Sequence, residues 1–92
     1  MIFFINKSDE RMLERLRQIG GDEEKVLVLA GDGVVLASPF WQDRLTSLDV
    51  EEVYAVKDDV EARNAELSGD CRAVGYDKLV DLLLSGEQVV SL

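Results

Sequence analysis

Three aspartates follow two apolar segments, an arrangement that can form a metal or phosphoryl site. Asp32 comes shortly after residues 26–30, and Asp58 and Asp59 come after residues 53–56 and one lysine. If both segments are parallel strands, their carboxyl ends share one edge of a sheet, where ligands bind and carboxylates can hold Mg²⁺. In the structural alternative, Asp59 caps a helix and its acidic neighbours favour the positive end of that helix. We favour the structural interpretation and predict no metal.

Cys71 is the single cysteine and the candidate for sulfur chemistry. A persulfide carrier needs an exposed thiolate, which a nearby cation favours and a nearby carboxylate opposes. Cys71 lies between Asp70 and Arg72, so its immediate neighbours do not decide the matter. The chain has no histidine, which removes the usual general base and the commonest metal-binding side chain. We interpret Cys71 as an incidental residue rather than a relay cysteine.

The sequence GDGVVL, residues 31–36, has two glycines spaced as in a dinucleotide-binding loop. Leu36 replaces the third glycine, and no clear helix pattern follows directly, so the fingerprint is incomplete. We interpret the two glycines as residues that permit a positive φ in a tight turn. The sequence predicts no cofactor.

Phe40 and Trp41 form the densest aromatic patch outside the first apolar segment. They either pack beneath a helix or anchor a subunit interface, where aromatic side chains supply much of the binding energy. A chain of 92 residues has few side chains with which to cover its core. We predict self-association, as a dimer or a larger oligomer, through a surface that includes Phe40 or Trp41.

The composition limits the classes of partner. The formal net charge of −9 repels the phosphate backbone and argues against direct binding of nucleic acid. No apolar run approaches the ~20 residues of a membrane span. The opening residues, MIFFIN, lack the length and the basic segment of a signal peptide. We predict one domain over residues 1–92, located in the cytoplasm and without a membrane span.

Short apolar runs alternate with helical patterns along the chain. Strands are predicted at about residues 2–5, 26–30, 53–56, 73–75 and 88–90. Helices are predicted to end at about residues 20, 48, 67 and 86, with the third beginning near residue 59 and the fourth near residue 77. Helices between strands whose apolar runs do not alternate indicate βαβ units. The predicted fold is α/β, with a mostly parallel sheet covered on both faces.

The order of these segments resembles the DsrH/TusB family of the DsrE/DsrF/DsrH superfamily, which contains intracellular sulfur-relay proteins. The matching segments are VLVLAGDGVV (26–35), VEEVYAVKDDVEARN (50–64), VGYDKLVDLLL (74–84) and QVVSL (88–92). They cover essentially the whole chain. The most specific part is VYAVKDDVEAR together with the YDKLVDLL helix that follows it.

The resemblance implies a three-layer α/β/α fold and assembly into dimers or larger complexes. Relatives form hetero-oligomers with DsrE-like and DsrF-like subunits that pass persulfide sulfur between cysteines. In one branch the sulfur becomes the 2-thiouridine of the tRNA wobble position, and in another it enters dissimilatory sulfur metabolism. Nothing in the resemblance makes Asp58 and Asp59 catalytic.

The sequence departs from the family pattern at one position. Some DsrH members carry a cysteine in the first helix, whereas residues 9–21 contain none here. The resemblance therefore implies a non-catalytic interaction subunit rather than an enzyme. Two alternatives stay open. One is a persulfide carrier that uses Cys71, and the other is a stand-alone homo-oligomer that binds a small ligand or metal near Asp32, Asp58 and Asp59.

Overall fold

Five parallel strands with helices between them make up the fold. The computed structural model describes residues 1–92. Its strands are β1 (Ile2–Ile5), β2 (Lys25–Leu29), β3 (Val50–Val56), β4 (Cys71–Val74) and β5 (Val89–Ser91). Its helices are α1 (Arg11–Gly20), α2 (Gln42–Ser47), α3 (Lys57–Ala62) and α4 (Tyr76–Leu83), with two 3₁₀ helices, Gly31–Ala37 and Pro39–Trp41, before α2. The predicted α/β fold with a parallel sheet is confirmed.

The strand order β4-β3-β2-β1-β5 determines on which face of the sheet each helix lies. From β1 to β4 the chain adds each strand on the same side, and the connection through α4 then returns it to the far side of β1. Because parallel crossovers are right-handed, this reversal places α4 on the face opposite α1, α2 and α3. The alternation of β1 agrees, since Phe3 and Ile5 belong to one apolar cluster and Ile2 to the other.

The two apolar layers differ in size. One cluster contains 13 buried residues and includes side chains of α1, α2 and the 3₁₀ helix Gly31–Ala37. The cluster beneath α4 contains four. On that face of the sheet Phe4 and Val26 are only partly buried. None of the helices is both long enough and apolar enough to cross a membrane.

Residues at the helix ends account for the bounds of α1, whereas the predicted end of α3 was wrong. The Asp9 carboxylate accepts a 2.9 Å hydrogen bond from the Arg11 N–H at the start of α1. Gly21 ends α1 with a φ of 55°, a left-handed conformation that suits glycine. The prediction for α3 was wrong at its end, because the helix stops at Ala62 and Asn64 turns the chain with a φ of 47°.

Lys25 is the one charged residue that is fully buried. Its Nζ donates hydrogen bonds to the carbonyl oxygens of Gly21 at 2.7 Å, Glu23 at 2.9 Å and Leu48 at 2.7 Å. Gly21 and Leu48 stand at the C-terminal ends of α1 and α2, where free carbonyls carry partial negative charge. Lys25 therefore joins the ends of two helices to the start of β2.

Candidate functional site

The carboxyl ends of β2 and β3 bring Asp32 and Asp59 to opposite sides of one arginine. The Gly31 N–H donates a 2.9 Å hydrogen bond to the Asp59 carboxylate. Arg63 donates through Nε to Asp32 at 3.0 Å, and its Nη1 lies 3.6 Å from Asp59. The positive charge between the two carboxylates therefore comes from Arg63 rather than from a metal ion.

Asp58 and Asp59 both lie in the first turn of α3, near the positive end of that helix. Neither is the helix cap, because Val56 holds that position and makes no side-chain capping bond. The predicted capping role of Asp59 is thus wrong in detail, and its carboxylate instead ties α3 to the loop after β2. Asp58 is exposed and takes no part in this network. No group of three or more potential ligands is arranged to hold a metal ion.

The two glycines of GDGVVL serve different purposes. Gly31 has a φ of +53°, as predicted for a tight turn. Gly33 does not have a positive φ, so the prediction was wrong there. A Cβ at Gly33 would overlap the carbonyl oxygen of Ile5, so glycine lets the 3₁₀ helix approach the end of β1. This segment buries Val34 and acts as a packing element of the larger cluster.

Cys71 opens the edge strand β4 and lines a cleft of about 330 Å³. Partial burial raises the pKa of its thiol above the ordinary value of 9.0, and the negative charge of Asp70 raises it further. A backbone hydrogen bond with Ser68 acts in the opposite direction and offsets only part of the rise. The thiol is therefore protonated at neutral pH, and a protonated thiol is a poor nucleophile.

Ser68 organises one wall of this cleft, although no sequence pattern singled it out. Its N–H donates to the carbonyl of Ala37 at 2.8 Å, and its own carbonyl accepts from the Cys71 N–H at 3.0 Å. Its hydroxyl donates to the Gln42 side chain, whose amide in turn donates to Asp70. These bonds fix the loop that leads into Cys71. A serine in a polar loop is common, so only the fold identifies its role.

Phe40 and Trp41 have different environments in the 3₁₀ helix Pro39–Trp41. Phe40 is 81% exposed, whereas Trp41 is partly buried and packs against the larger apolar cluster. The two rings meet edge to face, with centroids 5.0 Å apart and planes at 81°. Trp41 therefore packs against the core and supports an exposed Phe40. The role of this pair in self-association stays a prediction.

Comparison with known proteins assigns this parallel α/β chain to a family. The family model described as DsrH like protein matches residues 7–89. The chain therefore belongs to the DsrH-like family. Membership of this family implies a role of the sulfur-relay-subunit kind. No curated protein matches the sequence significantly.

The fold is also similar to a solved structure, that of a protein of unknown function from Methanobacterium thermoautotrophicum. The TM-score is 0.75 at 18% identity, and the match covers 99% of this chain and 96% of the other. At that identity the likeness establishes the shared fold alone.

Proposed function

We propose that this chain is a non-catalytic subunit of a cytoplasmic sulfur-relay complex. Companion DsrE-like and DsrF-like subunits carry the reactive cysteine, and this chain binds them. The observation that carries the proposal is the state of Cys71, whose burial and acidic neighbour raise the pKa of its thiol. Family membership supports a place in sulfur relay, and the neutral thiol supports a structural place within it.

The surroundings of Cys71 oppose a carrier role. Alternation along β4 sends consecutive side chains to opposite faces, so Arg72 does not share the side of the sheet on which Cys71 lies. The guanidinium of Arg72 accordingly does not contribute to lowering the pKa of the thiol, whereas Asp70 raises it. A relay cysteine needs neighbours that lower the pKa of its thiol, because sulfur transfer proceeds through a thiolate.

Phe40 is the contact point that we propose for the companion subunits. It is the most exposed of the large apolar side chains, and Trp41 holds its ring from the core side. A rigid, exposed aromatic ring with a packed support is typical of residues that dominate the energy of an interface. Val35, in the preceding 3₁₀ helix, is 44% exposed and extends the apolar surface in that part of the chain.

Affinity purification of the tagged chain from native cells, with mass identification of bound chains, tests the partner assignment. We expect DsrE-like and DsrF-like subunits to co-purify with the wild type and with Cys71→Ser. Phe40→Ala should lose them, whereas Ile19→Ala, which changes an exposed apolar residue of α1, should retain them. Recovery of the wild-type chain without such subunits would overturn the assignment.

Sulfur transfer in a strain that lacks this chain tests the non-catalytic role. Complementation by Cys71→Ser should restore transfer as fully as the wild type does. The 2-thiouridine content of tRNA and the rate of sulfur-compound oxidation report on the two candidate pathways. A mass increase of one sulfur atom on Cys71, together with failure of Cys71→Ser, would establish the persulfide-carrier alternative instead.

A further inference from the structure

The outer side of α4 carries an uncovered apolar ridge. Tyr76 is 65% exposed, Val80 is 50% exposed and Leu84, directly after the last helical residue, is 78% exposed. Residues four apart on a helix lie in one row, so these three side chains form a continuous stripe. Leu83 borders the stripe and is 46% exposed. No charged residue interrupts the row.

α4 is also the only helix on its face of the sheet. It packs through Leu79 on a cluster of four buried residues, compared with 13 in the opposite layer. Phe4 and Val26, on the same face of the sheet, remain partly exposed. Four of the eight exposed large apolar side chains thus belong to α4 or directly follow it, whereas Ile19, Val35 and Phe40 belong to elements of the other layer.

We propose that this ridge binds the same ridge of a second copy of the chain. The stripe is symmetric about its middle residue, with one apolar side chain four positions before Val80 and one four positions after it. In an antiparallel pair with a two-fold axis at Val80, Tyr76 therefore meets the partner's Leu84, and Val80 meets the partner's Val80. Such self-complementarity is the requirement of an isologous dimer contact.

The available area fits a modest dimer. The four exposed side chains of the ridge offer on the order of 400 Å², about half of the ~800 Å² that each partner contributes to a standard interface. Phe4 and Val26 are further partly exposed apolar residues on the same face of the sheet. An exposed apolar patch of this size lies within the range of about 300–600 Å² that the largest patch of a monomer reaches, and such patches are often functional.

The charges around the ridge predict how salt acts on the dimer. Asp77 and Asp81 follow Tyr76 and Val80 by one residue and lie along one margin, whereas the ammonium group of Lys78 lies over the sheet, 5.5 Å from the centre of the Tyr54 ring. The two-fold axis places the acidic margins of both copies on the same side. Their repulsion is screened by salt, so the dimer should strengthen from about 0.05 M to about 0.5 M salt. A basic partner on this ridge would show the opposite dependence.

Light scattering and sedimentation of the purified chain test this inference without reference to the sulfur-relay role. The wild type should dimerise, and Val80→Glu should weaken the dimer at least about tenfold because it brings two carboxylates to the axis. Ile19→Glu is the matched control, since Ile19 is 43% exposed on the opposite layer, and it should leave the dimer unchanged. Circular dichroism verifies that each variant is folded.

Disulfide trapping locates the axis. In a Cys71→Ser background, Val80→Cys should form a linked dimer under copper-phenanthroline oxidation several times faster than Ile19→Cys. A monomeric wild type would overturn the inference. So would a dimer that resists Val80→Glu but is lost in Phe40→Ala, which would assign self-association to the 3₁₀ helix Pro39–Trp41.

Discussion

The carboxylate of Asp59 accepts a 2.9 Å hydrogen bond from the backbone N–H of Gly31. The two residues are 28 positions apart, and each follows one of the adjacent strands β2 and β3. Gly31 belongs to the turn after β2 and has a left-handed φ of +53°. Because the hydrogen bond joins this turn to the first turn of α3, each of the two stabilises the other. The aspartate that suggested a metal ligand or a helix cap thus holds two connections of the sheet together.

Replacement of Asp59 should destabilise the fold more than replacement of Asp58. Asp59→Ala removes a charge-assisted acceptor and leaves the Gly31 N–H without its partner, which should cost about 1–3 kcal/mol in the free energy of unfolding. Asp58→Ala removes an exposed carboxylate and should change it by no more than about 0.5 kcal/mol. Urea denaturation of both variants measures the difference. Equal effects would show that the contact with Gly31 contributes nothing.

Magnesium should leave the thermal stability nearly unchanged. Arg63 already lies between Asp32 and Asp59, 3.0 Å from the first and 3.6 Å from the second, and offsets one of the two negative charges that would attract a cation. A ligand that binds only the folded state must raise the melting temperature. Thermal scans at several magnesium concentrations check this point. A rise that depends on concentration and vanishes in Asp59→Asn would contradict it.

Loss of the Lys25 ammonium group should be among the more damaging single substitutions. Lys25→Met preserves most of the buried volume but leaves three backbone carbonyls, including that of Leu48, without their donor. We expect a loss of about 3 kcal/mol in the free energy of unfolding, from denaturant titration. Lys57→Met, at an exposed lysine in the first turn of α3, is the control and should fall within about 0.5 kcal/mol of the wild type. Similar values for the two variants would refute the structural role.

The raised pKa of Cys71 predicts a loss of stability in alkaline solution. Its thiol ionises at higher pH in the folded chain than in the unfolded chain, because the fold desolvates the thiolate. The contribution is fully present below the unfolded pKa and is lost as pH rises from about 9.0 through the folded value. Denaturation at increasing pH should show this loss in the wild type but not in Cys71→Ser.

The pKa of Tyr54 is also raised, so its contribution to stability is likewise lost as pH rises. A hydrogen bond with the Glu52 carboxylate, followed by burial, raises the pKa of its hydroxyl above 10.0. The loss of stability caused by Tyr54 is therefore also present in Cys71→Ser. The difference between the wild type and that variant isolates the contribution of the thiol. The rate of Cys71 alkylation by iodoacetamide gives an independent measurement, and rapid reaction at neutral pH would contradict the protonated state.

The sequence by itself determined the elements and their class. The apolar runs around residues 2–5, 26–30 and 53–56 became β1, β2 and β3 because continuous apolar strands are stable only when buried on both faces. Asp9 and Gly21 delimited α1 through local backbone chemistry. These features were predictable because each depends on residues that are close together in the chain.

Tertiary structure alone decided the roles of individual polar and exposed residues. Lys25 looks like a surface lysine in sequence, and it is buried because the strand order brings the carbonyl of Leu48, 23 residues away, to its ammonium group. Ser68 meets Ala37 and Gln42 only when β4 lies beside β3. Val80 and Leu84 are apolar and four residues apart, but only one short helix lies on that side of the sheet, so both remain outside the core. Burial depends on contacts between distant segments, and these exist only once the chain has folded.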